Sequence, residues 1–222
     1  SHVALAAGVA LPAQAEDSVY IQLATYRTGA YAGSGIPIAN GMHDYLAMLN
    51  ERDGGINGVK LSWEECETEY NNAKGVECYE RLKNKNPVTK GTAYNVMATG
   101  ISYALIDETA ADKVPLMMVG YGRTDAVDGS VFPYAFPLVT TYQMQASAIV
   151  KFLATKNGGS LAGKKIAFLY HDSAYGKEPI GALEAESLIG KFALLQIPVA
   201  HPGNEQGAVS DTHPPLPTIL PV

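Results

Sequence analysis

The residues of this chain whose types and spacing bear on chemistry are hydroxyls, phenols and glycine amides gathered in loops, with no nucleophile set beside a base. Thr25 to Gly35 is rich in Gly, Thr and Ser and carries Tyr31. Ala98-Thr99-Gly100 leads into a helical stretch, and Gly120-Tyr121-Gly122-Arg123-Thr124-Asp125 makes a second glycine-rich loop. Backbone N–H groups at a helix N-terminus, helped by Thr or Ser hydroxyls, hold a carboxylate, so Thr99, Gly100, Gly120 and Gly122 are candidate contacts for one. Tyr31, Tyr121, Tyr142 and Tyr175 are candidates to wall the remainder of a small ligand, with packing at a protein surface as the competing role of each. Arg123 offers a charge to the same carboxylate or, equally, an ion pair to Asp125 or Asp128.

Catalytic sets are missing from the sequence. No Gly-x-Ser-x-Gly elbow occurs, and His43 falls on a helix where solvent exposure is expected. His171 beside Asp172 at a strand end has the form of an acid/base pair, but an ordinary hydrogen-bonded loop histidine is the favoured reading. Thr28-Gly29-Ala30-Tyr31-Ala32-Gly33 does not make the Gly-x-Gly-x-x-Gly dinucleotide turn, and no His-x-x-x-His or Cys/His cluster presents a metal site. The expectation is a binding protein, with no catalytic residue, cofactor or metal.

Periodicity supplies the elements that would position these loops. Val19 to Ala24 reads as a strand, and Ile38, Met42, Tyr45, Leu46 and Leu49 recur at helical spacing up to Gly54-Gly55. Val59 to Trp63 reads as the next strand, parallel to the first across that helix. The cycle repeats with a helix over Ala73 to Lys83, a strand around Ala93 to Met97, a helix over Ile101 to Ala111 and a strand over Val114 to Val119. Three small-residue loops thereby fall at the carboxyl ends of parallel strands, where α/β sheets bind ligands. Phe132 to Pro137, held extended by two prolines, reads as a passage between lobes. Thr140-Thr141 caps a helix through Thr155, with Ala148, Ile149, Phe152 and Leu153 expected inside. A strand over Ile166 to Tyr170, a helix through Lys191 and a strand over Leu194 to Val199 begin a second lobe. The expected division is residues 16–136 for the first lobe and 137–207 for the second.

A net charge of −6, without a strong basic cluster, argues against a nucleic-acid partner, and 47% hydrophobic residues suffice for a sizeable core. Residues 1–15 are apolar and close on Ala13-Gln14-Ala15, the pattern of a signal-peptide remnant, so the expected location is exported. Cys66 and Cys78 are an even pair suited to an oxidising compartment. A bridge would close about a dozen residues and stabilise by roughly 2–3 kcal/mol, with two reduced, packed thiols as the alternative. Residues 208–222, rich in proline and without period, read as an unstructured tail or a frame-shifted end.

The run "TYRTGAYAGSGIPIANGMHDYLAMLNERDGGINGVKL" resembles the opening of the extracellular solute-binding proteins of ABC importers, in the branched-chain amino acid receptor family. The resemblance extends over about residues 18–206 and rests on the Gly-x-Tyr-x-Gly loop, the helix and the Asn-x-x-x-Gly-Gly-Ile-x-Gly turn together. It implies a two-lobe type 1 periplasmic-binding-protein fold with a truncated second lobe. It further implies a periplasmic, monomeric receptor that closes on a small carboxylate and is met by a permease in the inner membrane. An aliphatic amino acid and an aromatic acid are both open as ligand, because the Gly-Tyr-Gly-Arg-Thr-Asp loop departs from the Ser/Ala/Thr-rich loop of amino acid receptors. A ligand-sensing regulator on the same fold and a secreted α/β enzyme are the rival readings.

Overall fold

A computed structural model describes residues 18–85, 91–119 and 124–200. The first lobe is a five-stranded parallel sheet in the order β2-β1-β3-β4-β5. Its strands are β1 (Ser18–Thr25), β2 (Lys60–Glu67), β3 (Tyr94–Val96), β4 (Leu116–Met118) and β5 (Ala135–Pro137). Helices α1 (Ala32–Asp53), α2 (Asn72–Leu82) and α3 (Thr99–Asp112) make the crossovers that parallel pairing requires. From β1 the chain first moves outward to β2, then returns to the other side of β1 for β3 and β4. The crevice between the carboxyl ends of β1 and β3 is therefore the switch point of the sheet.

The core of this lobe lies between the sheet and α2 and α3. Tyr79, Tyr94, Leu105 and Leu116 have no exposed surface, and Val96, Ile101 and Met118 pack with them. Tyr79 and Tyr94 meet edge to face at 5.0 Å, and the Tyr94 hydroxyl donates to the Gly75 carbonyl at 3.1 Å, so this buried phenol is satisfied. Burial pushes its pKa well above the ordinary tyrosine value.

Helix α4 (Tyr142–Lys156) opens the second lobe, and the Thr141 side chain caps it by accepting from the Met144 N–H. Strands β6 (Lys165–His171) and β7 (Ala193–Val199) pair in parallel over seven residues, with α5 (Ala174–Lys177) and α6 (Ile180–Gly190) between them. A smaller core of Ala146, Val150, Leu161, Ile166, Phe168, Leu183 and Phe192 fills the space between helices and strands.

Several sequence expectations shift. β2 runs on to Glu67, so Cys66 lies inside the strand and does not follow it; its sulfur is bonded to Cys78 on α2, with the Cα atoms 5.7 Å apart. Ala135–Pro137, expected in a passage between lobes, pairs with β4 as an edge strand, where proline's missing donor is tolerated. The inner face of α4 is Tyr142, Ala146 and Val150 with Ile149 and Leu153 half-buried, whereas Ala148 and Phe152 are exposed. The helix expected through Lys191 is two helices, because Pro179 has no N–H to continue α5. Residues 1–17, the loop glycines Gly120 and Gly122 with Tyr121 and Arg123, and the 208–222 tail lie outside the described residues.

Candidate functional site

The loop leaving β1 is held by a polar hub on the neighbouring strand. Glu65 accepts from Thr25 Oγ1 at 2.6 Å, from Arg27 Nη2 at 3.0 Å and from Arg27 Nε. His43 Nε2 lies 2.6 Å from the same carboxylate, and Trp63 Nε1 lies 2.9 Å from His43 Nδ1. Indole nitrogen only donates, so Nδ1 accepts and the imidazole proton sits on Nε2, donated to Glu65. Burial raises the Glu65 pKa, but the hydrogen bonds from Arg27, Thr25 and His43 outweigh it and hold the carboxyl at about 2. His43 is thus a half-buried structural group, not the exposed one expected from its helix. Glu67 binds the Arg27 and Glu69 amides at 2.7 Å each, which ties the start of this loop to the end of β2.

Beyond the hub, Gly35 lets α1 close onto the strand end. A Cβ there would stand 1.8 Å from the Tyr26 carbonyl oxygen, a distance no side chain can adopt. This packing places Tyr31 at the N-terminal end of α1, over the carboxyl end of β1. Gly176 does the same in the second lobe, where a Cβ would stand 2.0 Å from the His171 carbonyl oxygen. Helix α5 is thereby seated on the end of β6 with Tyr175 beside His171.

The two seated turns meet. Tyr31 Oη lies 2.6 Å from His171 Nε2, and His171 Nδ1 lies 2.7 Å from Ser173 Oγ. Rings continue on both sides of that bond. Tyr70 stands 4.5 Å from Tyr31 and 5.3 Å from Tyr26, while Tyr175 stands 6.3 Å from His171 and 5.1 Å from Tyr142. Six aromatic side chains so run from one lobe into the other. Burial raises the Tyr31 pKa above its ordinary value, and the phenol, protonated at neutral pH in any case, can donate across this bond.

A second set of bonds crosses between the lobes beside α3. Glu178, at the end of α5 and 8% exposed, accepts from the Thr124 N–H at 3.0 Å, from Thr124 Oγ1 at 2.9 Å and from Tyr103 Oη. Thr99 lies one turn before Tyr103 and is wholly buried as the first residue of α3, not ahead of the helix as expected. No side chain caps α3, and the Asn72 side chain lies over Gly100.

Of the sequence candidates, the structure brings Tyr31, Tyr142, Tyr175 and His171 into one aromatic row, and places Thr99 and Gly100 at the start of α3. Tyr121, Gly120 and Gly122 fall in the loop outside the described residues, which Thr124 follows. Sequence reasoning missed Tyr70, Tyr103 and Glu178. Tyr103 reads as one more outer residue of a helix, and Glu178 as surface charge before a proline. Among the described residues no three His, Cys, Asp or Glu side chains could together hold a metal ion, and no helix is long and apolar enough to cross a membrane.

Two α/β lobes whose strand-end loops face one another define a class, that of two-lobe ligand-binding proteins. Residues 18–187 match the family described as periplasmic binding protein, and the chain belongs to that family. A crystal structure described as an ABC transporter permease from the Pseudomonas fluorescens group is 50% identical, with a TM-score of 0.75 over 87% of this chain and 47% of that one. The fold is shared by a branched-chain amino acid ABC transporter from Thermus thermophilus with bound valine, at 21% identity and TM-score 0.71 over 82% of this chain and 45% of that one. It is also shared by an ABC transporter solute-binding protein from Rhodopseudomonas palustris BisB5 in complex with 3,4-dihydroxybenzoic acid, at 22% identity and TM-score 0.65 over 83% and 48%. The chain spans about half the length of these structures. No curated protein matches it.

Proposed function

We propose that this chain belongs to the solute-binding component of an ABC importer, an exported receptor that closes two lobes on a small carboxylate and presents the closed form to a membrane permease. The observation that carries this reading is the row of aromatic side chains contributed by both lobes, met at the Tyr31–His171 bond where the strand-end loops converge. A ligand held there touches both lobes at once, and contacts made only when the lobes are together favour the closed state. In this reading Tyr31, Tyr142 and Tyr175 wall the ligand, while Thr99, Gly100 and the loop of Gly120, Tyr121 and Gly122 bind its carboxylate. The disulfide fits an oxidising, periplasmic location, and the receptor acts as a monomer without nucleic acid, cofactor or metal. No residue has a catalytic part, His171 included.

Candidate ligands are aliphatic amino acids and aromatic acids, kinds bound in two of the fold relatives. Aromatic walls accept either through apolar contact, and favour a planar ring by stacking. A thermal-shift panel of both kinds, followed by titration calorimetry on the chain extended to the length of its relatives, tests the reading. Saturable binding of a carboxylate, weakened at least tenfold by Tyr175→Ala, is expected. Turnover of any panel member, or binding indifferent to Tyr175→Ala and Tyr121→Ala alike, would overturn it.

A further inference from the structure

Glu178 is 8% exposed, and the partners its carboxylate has among the described residues are neutral. Among the described residues no Lys, Arg or His forms an ion pair with it, and its oxygens receive an amide, an alcohol and a phenol. Buried carboxylates need such donors, since losing them leaves an uncompensated acceptor. All three donors belong to the first lobe, and the acceptor belongs to the second. Neutral donors around one carboxylate recognise the group and not the side chain behind it, so the same three atoms would take the carboxylate of any small acid.

The acceptor is also held rigidly. Gly176 fixes α5 against His171, the Glu178 N–H lies 3.4 Å from the Tyr175 carbonyl oxygen, and Pro179 follows at once. Glu178 therefore enters the first lobe as part of a fixed turn, beside the residues placed around the solute. Tyr103 is one turn along α3 from Thr99, and Thr124 is the first described residue after the glycine-rich loop.

We propose that Tyr103 and Thr124 form a carboxylate cradle on the first lobe that the second lobe's own Glu178 fills, so that the protein latches its lobes in cis and an acidic solute competes with this side chain. The proposal rests on the two-lobe solute-binding reading and adds a built-in competitor to it. A second acidic group of the solute, beyond the carboxylate held at Thr99 and Gly100, releases Glu178 to water when it enters the cradle, and the affinity observed is lower than the cradle's own by the fraction of time Glu178 occupies it.

The test uses sodium acetate as the probe and the backbone amide resonance of Thr124 as the readout, in the 222-residue chain. In wild-type protein acetate should barely move that resonance. In Glu178→Ala acetate should move it saturably, with an apparent affinity at least tenfold tighter, and adding Tyr103→Phe should weaken that binding at least threefold. Glu178→Gln preserves the shape while placing an N–H₂ against donors, and should give an intermediate gain if Glu178→Ala does not fold. Equal acetate response in wild type and the folded Glu178 variants, or none in any, would overturn the cradle; indifference to Tyr103→Phe would remove the phenol from it. The importer reading is judged separately: a chain that binds no member of the solute panel but shows the acetate response after Glu178→Ala keeps the cradle and loses that reading.

Discussion

At the scale of single residues, the groups that matter are those whose polar atoms are spoken for away from water. Glu65 is the clearest, because one strand, one loop arginine and one helix histidine all end on its two oxygens. Its folded pKa of about 2 lies below the ordinary 4.5, so it contributes stability that is fully present above pH 4.5 and lost as pH falls towards 2. Glu65→Gln should thus be less stable than wild type at pH 6, and the difference should shrink through that window; urea midpoints measured from pH 6 down to pH 2.5 check this. A constant difference across the range would mean that the carboxylate's charge is not what holds the loop. Tyr31→Phe removes the Tyr31–His171 bond but leaves the ring contacts. A net cost of about 0.5–1.5 kcal/mol is expected for one such bond, read as a lower urea midpoint than that of the wild-type chain.

At the scale of elements, the disulfide and the glycine contacts decide how the crossovers sit. Cys66 in β2 and Cys78 in α2 are 12 residues apart, and their bond staples the strand to the helix that leaves it. Replacing both by alanine should lower stability by roughly 2–3 kcal/mol in the chain-entropy model, with little change in the native circular dichroism. Gly75 on α2 is covered by Ile101 of α3, whose side-chain carbons would lie 2.5–2.7 Å from an added Cβ. Gly75→Ala should cost about 1–3 kcal/mol by overpacking, and Gly75→Ala with Ile101→Val should recover part of it, measured as a double-mutant cycle. These elements were legible in the sequence because their apolar positions keep helical or strand spacing over many residues. Their ends were less so. The apolar pattern of β2 ends at Trp63 because Glu64-Glu65 breaks it, which leaves Cys66 outside the strand on sequence, yet the hub of Arg27, Thr25 and His43 makes a charged residue acceptable inside it. Ala148 and Phe152, four apart beside Ile149 and Leu153, read as an inner stripe, but α4 turns the neighbouring stripe of Tyr142, Ala146 and Val150 to the core.

At the scale of the whole molecule, the α/β alternation and the position of the loops were readable from local pattern, but the contacts between lobes were not. Glu178 with Thr124 spans 54 residues and Tyr31 with His171 spans 140, separations at which neither periodicity nor turn chemistry carries information. The two lobes also differ in how they are built. In the first, β1, β3 and β4 each pair on both sides, and the residues between sheet and helices are wholly buried. In the second, β6 and β7 pair only with each other among the described residues, Leu195 is half-exposed, and Leu188 and Ile189 on α6 stand about 80% exposed. Two-stranded sheets are marginal unless a helix covers them, and here α4 and α6 supply that cover with a seven-residue core. Stability should therefore be uneven, the second lobe opening as a unit before the first. Native-state hydrogen exchange in low urea should show the amides of Ala193–Val199 and Lys165–His171 exchanging together, at least tenfold faster than those of Tyr94–Val96 and the buried half of β1. Matching rates in both sheets, with a single dependence on urea, would show that the contacts through His171 and Glu178 bind the lobes into one cooperative body.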